Sequence, residues 1–141
     1  MKNINCRGLS TPRPAVEFIE EKIEAANNKS KDLTIVVASN LLGNGDSNLG
    51  ELLMKSYIYS LSESVILPEN LIFINSGAKL TCQGSKVIDS LTSMKEKGVN
   101  ILSCGTCLDF YGLNEKLLVG DVGNMYLIVQ LMNESKNTIK I

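Results

Sequence analysis

The chain has 141 residues, with 14 Lys and Arg against 15 Asp and Glu, a formal net charge of −1 and no histidine. This length makes one ordinary domain, burying roughly 68–70% of its unfolded surface, and the balanced charge supplies neither the basic stripe of a nucleic-acid binder nor an acidic disordered tail. The lack of histidine excludes Ser-His-Asp and Cys-His nucleophiles and any mixed cysteine/histidine zinc site.

The N-terminus has no apolar h-region, and no apolar run approaches the ~20 residues of a membrane span, so a cytoplasmic protein without a membrane partner is expected. Four cysteines in that compartment read as catalytic or metal-binding groups rather than as a disulfide framework.

Residues 1–30 differ in character from the rest. Cys6–Pro14 reads CRGLSTPRP and leads to an expected helix at about Ala15–Asn27 with Val16, Ile19 and Ile23 as a thin stripe. Thr11 suits its N-cap and Pro12 its first turn. The polar run Asn27–Asp32 behaves as a linker. One extended piece and one helix cannot bury a core, so this segment is expected to dock elsewhere or stay mobile, and the main domain spans 31–141.

Leu33–Ser39, LTIVVAS, reads as a strand buried on both faces. Asn40–Asp46 is a Gly-punctuated loop, and Asp46 or Ser47 caps a helix to about Ser64. Leu49, Leu52, Leu53, Tyr57 and Leu61 form its main apolar stripe, while Met54 and Ile58 imply a second contact surface. A loop with Pro68 precedes a strand at Leu71–Asn75. A helix follows near Lys86–Lys97, with Val87, Ile88, Leu91 and Met94 inward and Gly98 as its stop. The strand Val99–Ser103 delivers Cys104 to a short helical turn. Lys116–Val119 reads as a fourth strand. Asp121 then caps a last helix with Val122, Met125, Tyr126, Val129 and Met132 on one face, before a strand at Thr138–Ile141. Alternating strands and helices predict an α/β fold: a three-layer α/β/α arrangement with a mainly parallel five-stranded sheet.

The chemistry concentrates in Asn100–Gly112, NILSCGTCLDFYG. Cys104 lies at the carboxyl end of a strand and beside a helix start, where open α/β sheets place ligands and where the helix end favours thiolate. The plain alternative is that Cys104 and Cys107 are small buried hydrophobes. A thioredoxin-like dithiol normally faces a later proline, but Pro12, Pro14 and Pro68 are all upstream. An all-cysteine zinc site would have to recruit Cys6 and Cys82 without a second C-x-x-C, so neither metal nor cofactor is expected. Cys82 follows the second strand as Cys104 follows the third, and Lys79 either lowers its pKa or is simply a solvated loop charge. Gly43–Asp46 reads more readily as a tight βα turn than as a phosphate cradle, since it lacks the full glycine pattern. Asp109, Phe110 and Tyr111 either pack beside the thiol or shape access to it.

The segments SGAKLTCQGS, ILSCGTCLDFYGL and VGDVGNMY resemble the C-terminal half of YedF proteins, a DsrE-like domain, over about Leu33–Ile141. CRGLSTPRPAVE resembles the start of a TusA/SirA-like sulfur carrier domain, cut short after its first helix. The resemblance implies sulfur relay, with a link to selenium metabolism, between donor and acceptor proteins, and a homo-oligomer. DsrE-like sulfurtransferases carry a persulfide on a cysteine after the third strand, eight residues before a glycine, and Cys104 and Gly112 match that spacing. By resemblance Cys104 accepts sulfane sulfur, while Cys107 resolves the persulfide or tunes it. Thr11 stands at the carrier cysteine position and cannot form a persulfide, and Cys6 does not replace it. The competing expectation is a non-catalytic oligomeric binding or assembly module whose cysteines are structural.

Overall fold

In the computed structural model, residues 32–141 are described. The expected N-terminal helix, Cys6 and Thr11 lie outside the described residues.

Five strands form one parallel sheet in the order β4-β3-β2-β1-β5. They are β1 (Leu33–Val37), β2 (Asn70–Phe73), β3 (Asn100–Cys104), β4 (Asp121–Gly123) and β5 (Asn137–Lys140). The helices are α1 (Ser47–Ser62), α2 (Ile88–Glu96), α3 (Gly105–Phe110) and α4 (Met125–Glu134), with a 3-10 helix at Asn75–Thr81. This is the expected three-layer α/β/α architecture. The connections β1-α1-β2 and β2-α2-β3 run in one direction across the sheet, so α1 and α2 share a face; the return from β4 to β5 puts α4 on the other.

Period-2 alternation divides the buried side chains between these faces. Ile35 and Val37 of β1, Leu71 and Phe73 of β2 and Ile101 of β3 pack beneath Met54 and Ile58 of α1 and Leu91 and Met94 of α2. On the opposite face Val36, Ile72 and Cys104 meet Ile128 of α4. At the amino end, in-register Thr34, Asn70 and Asn100 satisfy one another: Asn100 Nδ2 donates to Asn70 Oδ1 at 2.8 Å, and Asn70 Nδ2 to Thr34 Oγ1 at 3.1 Å.

Local signals place α1 and α2 well. The Asp46 carboxylate caps α1 by accepting from the Asn48 and Leu49 amides, and Gly98 follows α2 at φ +99°. The inward face of α1 is only partly the expected one. Met54 and Ile58 are buried, with Tyr57 and Leu61 beside them, whereas Leu49, Leu52 and Leu53 are exposed. The reason is Gly50. The Leu42 amide donates to its carbonyl, and a Cβ there would lie 3.0 Å from Leu41 Cβ. That close approach turns the 50/54/58 stripe inward.

The C-terminal third also differs. Lys116–Val119 is not a sheet strand: Leu117 bridges antiparallel to Cys82, and the Gln83 amide donates to the Lys116 carbonyl. Gly120, at φ +85°, then turns the chain into β4 with its Cα against the Ile101 backbone. Asp121 therefore belongs to β4, and Asn124 caps α4 by accepting from the Leu127 amide. The α4 face expected to pack is mostly outward. Ile128 is buried with Leu131 and Met132 against the sheet, while Val122, Met125, Tyr126 and Val129 are exposed.

Candidate functional site

The three cysteines among the described residues, Cys82, Cys104 and Cys107, gather at the carboxyl edge of the sheet in different surroundings. Cys104 is the last residue of β3, in register with Gly123 of β4, and the N-cap residue of α3. Its side chain turns toward α4 and is 1% exposed, packed with Val36, Ile72 and Ile128. Cys107, one turn into α3, is half-buried. It touches this cluster and also the small one formed by Ala78, Cys82 and Leu108. Cys82 is 1% exposed. Its Sγ donates to the Ala78 carbonyl at 3.3 Å. The expected convergence of Cys82 and Cys104 on one edge holds for their position along the sheet, but they occupy separate packing clusters, and Cys107 lies between them.

Cys107 has the more elaborate environment. The Asn75 amide donates to its Sγ at 3.0 Å. Asn75 holds left-handed backbone, φ +52°, which asparagine tolerates better than most residues. Its Oδ1 accepts from the Tyr111 hydroxyl at 3.0 Å, and the Lys79 ammonium lies 4.5 Å from the Tyr111 ring centroid. Burial pushes the Cys107 thiol up from its ordinary pKa, and the adjacent Cys104 thiol adds to this, while the Asn75 amide opposes it by stabilising the thiolate. The Cys82 thiol is also raised by burial, partly offset by the Thr81 hydroxyl. Of the two expectations for Lys79, the solvated charge fits rather than a lowering of the Cys82 pKa, because the side chain is exposed and its ammonium faces Tyr111.

Of the neighbours singled out in sequence, Tyr111 shapes the site through Asn75. Asp109 accepts from Asn114 Nδ2, and Phe110, 83% exposed, stands edge-on to Tyr111 with ring centroids 5.2 Å apart. Gly112, at φ +67°, ends α3 as its amide donates to the Asp109 carbonyl. The eight-residue spacing from Cys104 thus has a local cause: the glycine stops the helix that the cysteine starts. The Gly43–Asp46 loop is not an anion cradle. The Asp46 carboxylate already occupies the first free amides of α1.

Sequence reasoning misses two features. One is Asn75, whose role needs β2 and β3 to be neighbours. The other is a cleft of about 690 Å³ at the carboxyl ends of β1 and β2, reached by Lys55, Lys79, Lys86, Cys82 and Tyr111. Those lysines come from α1, the 3-10 helix and the following loop, so no motif announces them. Among the described residues, no group of three or more cysteine or carboxylate side chains could hold a metal, and no helix is long and apolar enough to cross a membrane.

No family model matches the chain, and no curated protein matches it. Among solved structures it is similar to the ychN protein from E. coli, which has a DsrE-like fold, with a TM-score of 0.61 and 15% identity, covering 79% of this chain and 99% of the other. At that identity the likeness bears on fold alone: the sheet and its helices are DsrE-like.

Proposed function

We propose that the protein carries sulfane sulfur as a persulfide within a sulfur relay, through Cys104 with Cys107 as its solvent-side neighbour. The observation that supports this best is the adjacency of the two thiols at the carboxyl end of β3, one buried and one half-buried, with the Asn75 amide directed at Cys107 Sγ. The DsrE-like fold is compatible with such a relay. In the proposed step a Cys104 thiolate attacks the outer sulfur of a donor persulfide. The donor S–S bond breaks, the donor leaves as a thiolate, and a new S–S bond forms on Cys104. An acceptor thiolate reverses the sequence. Burial of Cys104 keeps its persulfide from water and stray thiols, so loading proceeds past Cys107. The YedF resemblance extends the proposal to selenium, whose chemistry at a thiol runs in parallel.

Intact-mass analysis after incubation with a cysteine desulfurase and cysteine tests this. The expected result is an adduct of one sulfur atom, lost in Cys104→Ser and slower to form in Cys107→Ser. An absent adduct, or one that persists undiminished in Cys104→Ser, overturns the assignment.

The second reading, a non-catalytic homo-oligomeric assembly module, is favoured by a different observation. Cys82 and Cys104 are both fully packed, and the outer sides of α1 and α4 present Leu49, Leu52, Met125, Tyr126 and Val129 to solvent. Thiol titration of the native protein separates the two. One fast-reacting site in the 104–107 pair supports transfer, and uniformly unreactive thiols support the module.

A further inference from the structure

The cleft between α1, the 82–87 loop and Tyr111 is separate from the thiol pair, since neither Cys104 nor Cys107 lines it. It opens at the carboxyl ends of β1 and β2, where parallel sheets bind their ligands, and its size falls within the roughly 300–1,000 Å³ of small-molecule sites. Its charges are unbalanced. Glu51 contributes the one carboxylate in the lining and faces Lys86 at 3.4 Å. Lys55 and Lys79 have no carboxylate partner among the described residues. The Lys79 ammonium stands over the Tyr111 ring instead, a contact that holds it without neutralising its charge. Two positive charges therefore converge on the cleft. Asn40, Asn48 and Gln83 add neutral polar groups, and Leu52, Val87 and the Tyr111 ring supply apolar wall.

We propose that this cleft binds a small phosphomonoester with an apolar or aromatic body. Two lysines without a carboxylate partner among the described residues match a head group that carries about −1.5 to −2 at pH 7, whereas a carboxylate would leave one of them unmatched. The wall favours such a body, because covering Leu52, 64% exposed, removes apolar area from water. The amides of the α1 N-terminus take no part, because Asp46 occupies them. The proposal is independent of sulfur transfer and survives its failure.

Isothermal titration of the full chain with phenyl phosphate, inorganic phosphate and phenol tests it, because the three probes separate head from body. Phenyl phosphate is expected to bind saturably and more tightly than either of the others, and more weakly as salt rises. Lys55→Met and Lys79→Met keep the side-chain stem but remove the charge, and each is expected to weaken binding by about tenfold; the double variant loses it. Lys95→Met, on α2 and outside the cleft, leaves affinity unchanged, and circular dichroism verifies that each variant is folded. The proposal is overturned by the absence of saturable binding at millimolar phenyl phosphate, by equal affinity for inorganic phosphate, or by retained affinity in the double variant.

Discussion

The two faces of the sheet are filled unequally. Beneath α1 and α2 a broad apolar layer runs from Leu67 through Phe73 to Val119, all of it buried. Beneath α4 the layer is thin, and one of its few buried members is Cys104. Two helices, of sixteen and nine residues, cover the first face, while one ten-residue helix covers the second and leaves most of its own apolar side chains in solvent. Stability is concentrated on one side, and the candidate chemistry sits on the more lightly covered other. Under the proposed relay, a thiol that meets a donor is better served beneath this thinner cover than inside the main core.

A matched pair of substitutions tests this contrast most strongly. Ile58 and Ile128 are the same residue, each mid-helix and at most 1% exposed. Ile58→Ala should cost about 4 kcal/mol, because its site is walled by Met54, Leu91 and the sheet; Ile128→Ala should cost nearer about 2 kcal/mol, because half-buried Leu131 and Met132 can relax into the gap. Urea denaturation measures both, and equal losses would erase the distinction between the faces.

The next effect concerns the thiols as packing groups. Cys104→Ser buries a hydroxyl among Val36, Ile72 and Ile128, and should cost about 1–3 kcal/mol. The same change at half-buried Cys107 should cost under about 1 kcal/mol, again by urea denaturation. If Cys107→Ser is the more destabilising, the burial order of the pair is wrong. On the other face, Asp46→Ala should cost about 1 kcal/mol through loss of the α1 cap, read as a lowered thermal midpoint.

The smallest effects are in pH. Burial and the Cys104 thiol hold the Cys107 pKa above its ordinary value, so its alkylation rate should rise with pH through a midpoint above that of a free thiol. Cys104→Ala should bring the midpoint down without reaching the ordinary value, because burial, the larger cause, remains. The sign for stability follows: the fold favours the neutral thiol, so this contribution is complete below the ordinary pKa and fades as pH rises through the raised one. Cys82, also raised, adds in the same direction. Stability that instead grew with alkaline pH would contradict both shifts.

Much of the site was readable locally. The strand carrying Cys104, the glycine that ends its helix and the α1 cap depend on residues within one turn of each other. Asn75 and the lysine cleft were not readable, because the Asn75 amide reaches Cys107 across 32 positions and the cleft draws on three separate elements. The misread faces of α1 and α4 have a related cause. Both helices carry apolar residues nearly all round, so periodicity alone permits more than one inward stripe.

The sequence by itself determined the alternation of strands and helices, hence a parallel α/β sheet, and it determined that a cysteine would stand at the carboxyl end of β3. Those outcomes rest on residue type, short-range periodicity and capping, which act over a few positions. Only the tertiary structure decided that Cys104 would be covered by Ile128, that Cys107 would be the more open of the two, and that Leu117 would pair with Cys82 rather than extend the sheet. Those outcomes depend on which face each crossover lands on and on how closely backbones approach at Gly50 and Gly120, quantities that exist only once distant segments are packed together.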